Sequence, residues 1–228
     1  MPRRITVADL VTLGKQKADQ ENSTFLADAD WKGHLSAAYA ELYEEIVKSG
    51  LRYFEREHDV TTEYTDLPDD HLSTIGVDYV LDTAGRRRQL YELMAQERDL
   101  YAGVGSGIPV AYTIEAQKLR LHPAPAAGVT CKHVYLPQPV RLVGAADALE
   151  LDVIMPLGEQ FVSWSMAFQA LAKEESDVTV AAAERERLRR DIAEWATMRA
   201  FHQPRRLVVA PEPDEDGYSD NRRPPWSY

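Results

Sequence analysis

The chain has 228 residues, 44% of them hydrophobic and 28% charged. A chain of this length can bury roughly 70% of its unfolded surface, which makes one sizeable core or two small ones. Its 37 acidic residues against 26 basic ones give a formal charge of −11, which excludes a globally attractive DNA-binding surface built on Lys and Arg, and with it a sequence-reading regulator.

The N-terminus, Met-Pro-Arg-Arg-Ile, carries charge but no apolar stretch of the signal-peptide kind, and no later run approaches the ~18 apolar residues of a membrane span. Thr6 as N-cap with Asp9 three residues on predicts a first helix from Val7 to about Ala18, with Leu10, Leu13 and Lys17 at helical spacing. A stronger helix is expected from Asp28 or Asp30 toward Gly50, because Trp31, Leu35, Ala38, Tyr39, Leu42 and Ile46 recur every three or four residues. From Leu51 to Leu81 the pattern turns extended at Tyr53, Val60 and Tyr64, breaks at the turn Leu67-Pro-Asp-Asp70, and becomes rich in β-formers from Ser73 to Leu81. Good helix formers with Leu90, Met94, Glu97 and Tyr101 on one face predict an inserted helix from Arg86 to Tyr101.

After the loop Gly103 to Gly107, alternation at Val110, Tyr112 and Ile114, then at Leu119 and Leu121, and a third run from Val129 to Leu136 predict three antiparallel strands. Arg141 to Ala148 reads as a loop, and Leu149 to Ile154 leads into Pro156, which suits the first turn of a helix. That helix, about Leu157 to Glu175, carries Leu157, Phe161, Trp164, Phe168 and Leu171 on one stripe. A second, from Val178 to about Phe201, has Asp177 as N-cap and Leu188, Ile192 and Trp195 as its seam. The short break between them predicts an antiparallel helical hairpin. Beyond His202 the composition shifts to proline, acid and arginine, and only Leu207 to Ala210 has strand character.

These elements add up to an α+β chain that is mainly helical: a helical bundle with an inserted small antiparallel β unit and an extended C-terminal tail. The divisions are 1–55 for the N-terminal helices, 56–155 for the β unit with its inserted helix, 156–202 for the helical hairpin and 203–228 for the tail.

Candidate chemistry is sparse. Gly103 to Gly107 is glycine-rich, but a phosphate cradle needs a strand before it and a helix N-terminus after it, and here the order is reversed. His122, Cys131 and His133 are conceivable metal ligands, yet Val129 and Tyr135 share the face and no fourth ligand is near, so packing explains them better. A single cysteine also rules out an internal disulfide framework. The acids at Asp69-Asp70, Glu174-Glu175-Asp177 and Asp214 to Asp216 read as solvated caps and turns, since general acid–base work needs carboxylates opposed across a pocket. Ser163 and Ser165 lack a nucleophile-elbow context. Arg185, Arg187, Arg189 and Arg190, interleaved with Glu184 and Glu186, read first as a solvated helix face and second as a contact for an acidic partner. In the tail, Trp226 and Tyr228 beside Arg222 and Arg223 have the composition of an interface anchor that folds on binding.

The order of segments resembles the head-tail adaptor proteins of tailed bacteriophages, also called connector or head-completion proteins. The resemblance rests on Trp31-Lys-Gly-His-Leu-Ser-Ala-Ala-Tyr-Ala-Glu-Leu-Tyr43, Leu67-Pro-Asp-Asp-His71 leading into Ile75-Gly-Val-Asp78, and Ile108-Pro-Val-Ala-Tyr-Thr-Ile114. It continues through Leu119-Arg-Leu-His-Pro-Ala-Pro125, Val134-Tyr-Leu-Pro137, Pro156 and the helix closing on Lys173-Glu-Glu-Ser-Asp177. It covers about residues 6 to 200; the tail matches in character, and nothing carries over for Arg86 to Tyr101.

The resemblance implies an architectural virion protein with no catalysis and no cofactor. It implies a ring, a dodecamer in such proteins, beneath the portal of a DNA-filled capsid, sealing the vertex and offering a platform to the next neck or tail component. Double-stranded DNA would pass through the channel without sequence-specific binding, and the acidic balance suits a lining that repels phosphate. The tail would dock on the portal, with Arg205, Arg206, Leu207, Val208, Arg222, Arg223, Trp226 and Tyr228 as contact residues. The expected location is the virion neck, after synthesis in the host cytoplasm. Two alternatives stand beside this reading: a tail-completion ring docking on the tail tube, and a small metal-dependent cytoplasmic enzyme using His122, Cys131 and His133.

Overall fold

A computed structural model describes residues 4–81, 85–94, 97, 101, 104–142 and 147–201. Among them are four helices and ten strands. The helices are α1 (Val7–Lys17), α2 (Asp28–Lys48), α3 (Pro156–Lys173) and α4 (Thr179–Phe201). The strands are β1 (Arg4–Thr6), β2 (Arg56–Val60), β3 (Tyr64–Asp66), β4 (His71–Val80), β5 (Arg87–Gln89), β6 (Tyr91–Glu92), β7 (Ala111–Glu115), β8 (Lys118–His122), β9 (Cys131–Pro137) and β10 (Glu150–Asp152). The strands form three sheets: the pair β1-β10 and two four-stranded sheets, β2-β9-β4-β5 and β3-β8-β7-β6.

This corrects the expected helical bundle with a small β insertion. The β part is large enough to close on itself: Val60, Val77 and Cys131 from one four-stranded sheet meet Tyr112, Leu119 and Leu121 from the other, with Leu90, in a second apolar core. Alternation of buried and exposed residues, as in Lys118, Leu119, Arg120 and Leu121 of β8, is the signature of two sheets facing across a shared interior.

The helices build the first core. The α2 stripe predicted by periodicity, Trp31, Leu35, Ala38, Tyr39, Leu42 and Ile46, is buried throughout, and Asp30 Oδ2 accepts from the Ala27 N–H at its start, 3.2 Å away. Thr6 caps α1 as expected: its Oγ1 accepts from the Asp9 N–H at 3.1 Å and donates to Asp9 Oδ2 at 2.7 Å. The α1 stripe differs slightly, with Val7, Leu10 and Gly14 buried and Lys17 lying over the Trp164 ring at 4.8 Å. The α3 stripe is a larger correction. Besides Phe161, the fully covered residues are mostly small or unpredicted ones, Gly158, Val162, Ser163, Ser165, Met166, Ala167 and Ala170, because α3 packs against α1, α2 and α4 at once. The hairpin of α3 and α4 forms as expected, with Leu188 and Ile192 buried in the seam. Asp177 Oδ1 accepts from the Thr179 N–H at 2.9 Å at the start of α4.

Two further expectations fail within the β part. The segment from Arg86 to Tyr101 is not a helix: Arg87–Gln89 pairs antiparallel with Asp78 to Val80, and Tyr91–Glu92 pairs parallel with Ala111 and Tyr112. Sheet pairing and the burial of Leu90 override the helix propensity of the local sequence, while residues 95–96 and 98–100 lie outside the described set. The three runs expected to form one antiparallel trio are also divided. β7 and β8 form a hairpin in one sheet, whereas β9 crosses to the other and pairs with β2 and β4.

Candidate interaction surfaces

The fold scatters the residues that sequence alone placed together as metal ligands. His122 sits on β8 on the face opposite Leu119 and Leu121, its Nε2 3.0 Å from Thr113 Oγ1. Cys131 is wholly buried in the second core, where burial pushes its thiol up to about 11. His133 lies on β9, bonded through Nε2 to Thr74 Oγ1 at 2.9 Å. Among the described residues no group of three His, Cys, Asp or Glu side chains is arranged to hold a metal.

The glycine-rich loop is equally committed elsewhere. The Gly107 N–H donates to Ala124 O at 2.8 Å, its carbonyl accepts from the Ala126 N–H at 2.8 Å, and a strand follows instead of a helix. Ser163 donates to the Gln160 carbonyl at 2.9 Å within its own helix, and the buried Ser165 hydroxyl has no partner. Asp70, read from sequence as a solvated turn acid, instead clamps two strands: it accepts from Arg56 Nη1 at 2.6 Å and from the Tyr135 hydroxyl at 3.0 Å.

The arginine run on α4 divides by helical phase. Arg185 and Arg189 point at α2, where Arg185 Nη2 meets Glu41 Oε2 at 2.8 Å and Arg189 Nε meets Glu45 Oε1 at 2.9 Å. With Glu44 and Phe161 these four residues line a cavity of about 220 Å³. Arg187 turns outward and pairs within α4, to Glu184 and Asp191. The sequence favours a solvated face over an acidic contact for this run, because the acidic partners Glu41 and Glu45 lie 144 residues away in the same chain.

What remains exposed and apolar is found on both halves of the molecule. On α4 the outward stripe Val180, Ala183, Arg187, Arg190, Glu194 and Met198 carries apolar ends and a charged middle, with Val180 65% and Met198 59% exposed. On the β part, Tyr64 is exposed on edge strand β3, Tyr91 on edge strand β6, and Leu72 near the start of β4. These side chains stand singly on different elements and do not merge into one apolar patch. The predicted tail contacts Arg205, Arg206, Leu207, Val208, Arg222, Arg223, Trp226 and Tyr228, and the acids Asp214 to Asp216, lie outside the described residues.

A family model described as SU10 adaptor protein matches residues 5–217. The chain belongs to the SU10 adaptor protein family. This is a phage head-tail adaptor family, and membership gives the chain a structural role. The match begins inside β1, spans both cores, passes the end of α4 and continues into the proline-rich C-terminal residues. The adaptor family thus accounts for the helical part and the β part as one unit. A comparison with curated proteins gives no match. Among the described residues of this SU10 adaptor, no helix is long and apolar enough to cross a membrane.

Proposed function

We propose that the chain is the subunit of a head-tail adaptor ring in the neck of a tailed phage. Copies assemble as a dodecamer under the portal, close the DNA-filled capsid and present a platform to the next neck or tail component. The work is mechanical, without catalysis or cofactor. The observation that carries this reading is the family match running unbroken across both cores and into the tail.

Ring closure requires each subunit to offer two different complementary patches, one to each neighbour. A body with two separate apolar cores and exposed apolar side chains on each half supports such a division of labour. The formal charge of −11 supports a channel from which DNA slides freely, because acidic walls repel phosphate.

Residues 203–228 dock on the portal in this proposal. The family match ends at 217, so Arg205, Arg206, Leu207 and Val208 fall within it and Arg222, Arg223, Trp226 and Tyr228 fall beyond it. The test is to mix the purified chain with its portal and image the product, using the full chain, a truncation after 217 and a truncation after 202. Rings on the portal with the full chain and none with the shortest form are expected. Portal docking undiminished by both truncations would remove the tail from the proposal, and binding to the tail tube in place of the portal would overturn the position in the neck.

A further inference from the structure

Three side chains make a polar relay where the helical part meets the β part. His71 Nε2 lies 3.0 Å from Thr74 Oγ1, which lies 2.9 Å from His133 Nε2. His133 has no solvent exposure, and its Nδ1 has no hydrogen-bond partner. Register shifts between His71 and Ser73 and between Thr74 and Gly76 bulge β4 on either side of Thr74, the local bending that sheets use to re-aim a side chain. Opposite His71 in the pairing is Pro137, whose carbonyl accepts from the buried Tyr43 hydroxyl of α2 at 2.5 Å.

The hydrogens in this relay have one arrangement that leaves no buried donor stranded. A buried N–H without an acceptor is rarer and costlier than an unused lone pair, so the orphaned Nδ1 of His133 is bare and its proton is on Nε2. His133 then donates to Thr74 Oγ1. The single hydroxyl hydrogen of Thr74 is free to donate to His71 Nε2, which places the His71 proton on Nδ1.

We propose that this relay is a proton-operated latch on the β4–β9 pairing, closed while both imidazoles are neutral and opened by acid. A proton on His71 Nε2 turns an acceptor into a donor. Thr74 Oγ1 must then accept from both rings, its own hydrogen loses its acceptor, and two positive rings with centroids 5.5 Å apart follow when His133 protonates as well.

The groups facing the relay favour this outcome. On β2, His58 is the register partner of His133 and adds like charge, while Arg56 is turned to Asp70. On β9, the Tyr135 ring stacks on His133 at 5.3 Å and carries no charge to offset it. Asp70 draws His71 upward, but its oxygens are already engaged by Arg56 and Tyr135. Burial comes out ahead at both rings: His71 is lowered, and His133 is held down to about 4.

The sign follows from linkage. An unfolded histidine binds its proton near 6.5, above the folded value, so the stabilisation is complete above about pH 6.5 and is lost as pH falls toward 4. For His133 alone the opening equilibrium rises on the order of tens of fold between about pH 7.5 and 4.5.

The experiment uses the full chain, with imidazole nitrogen NMR and backbone amide exchange, corrected for its intrinsic pH dependence, followed across that range. At neutral pH His133 is expected as the Nε2–H tautomer and His71 as the Nδ1–H tautomer. Thr74→Val removes the donor that holds the His71 lone pair and should raise the His71 midpoint, and Thr74→Ser should restore it. Amide exchange in β4 and β9 should rise tens of fold in step with the rings. His71 found with its proton on Nε2 at neutral pH, equal His71 midpoints with and without the hydroxyl, or exchange in β4 and β9 indifferent to acid would each overturn the latch. The wild-type tautomers together with wild-type amide exchange test the latch even if a variant does not fold.

Discussion

Arg189 on α4 holds Glu45 on α2 through two nitrogens, Nε at 2.9 Å and Nη2 at 2.5 Å from the same Oε1. The Glu45 side chain is only 14% exposed, so the contact is partly shielded from water and salt. One turn away, Arg185 meets Glu41 and also lies over the Phe168 ring at 5.2 Å. Leu188 and Ile192 bury the apolar seam of α4, and the two arginines fix its rotation against α2.

Arg189→Ala leaves the Glu45 carboxylate half-covered and short of its main partner. A loss of about 1 kcal/mol is expected, a drop of a few degrees in Tm for a chain of this size. Thermal denaturation at low and high salt checks it: the difference from wild type should shrink as salt rises.

Gly158, near the start of α3, has no room for a side chain. A Cβ there would lie 2.2 Å from the Val153 carbonyl oxygen and 3.3 Å from Leu42 Cδ2. The first neighbour is backbone and cannot rotate aside, so Gly158→Ala should destabilise the helical core by about 3 kcal/mol, measured as a fall in the urea midpoint at unchanged slope.

Tyr43→Phe removes the hydroxyl that donates to Pro137 O and leaves that carbonyl short of a partner in a buried site. The expected cost is about 1–2 kcal/mol. Because the bond ties α2 to the end of β9, amide exchange should quicken in β9 more than in α1.

Cys131 is buried and its thiol is pushed up to about 11, so the reactive thiolate is scarce at neutral pH. Alkylation of the native chain should be slow and limited by opening of the β core, and it should become immediate in urea. Rapid stoichiometric labelling under native conditions would contradict the burial.

Much of the helical part was legible because its determinants are local. The α2 stripe from Trp31 to Ile46, the Thr6 cap with Asp9 and the Pro156 start each arise within one or two turns of helix, where side-chain spacing and backbone geometry are tied together. The same locality misled at Arg86 to Tyr101. Helix formers occur there at helical spacing, but the burial of Leu90 and the pairing with β4 and β7 are contacts between segments and leave no mark on the spacing. The α3 face was misjudged for a related reason: Ala167 and Ala170 are buried by three neighbouring helices, and small residues carry little periodic signal.

Taken alone, the residue order determined where α1, α2, α3 and α4 run, that strands lie between α2 and α3, and the family resemblance that the match over residues 5–217 bears out. Only the tertiary structure decided that β9 leaves β7 and β8 for the opposite sheet, that Arg185 and Arg189 of α4 turn toward α2, and that His71, Thr74 and His133 meet. Helix spacing is set by neighbours a few positions apart. Sheet partners, ion pairs and polar relays depend on which distant segments come to share a space, and that is determined by the packing of the whole chain.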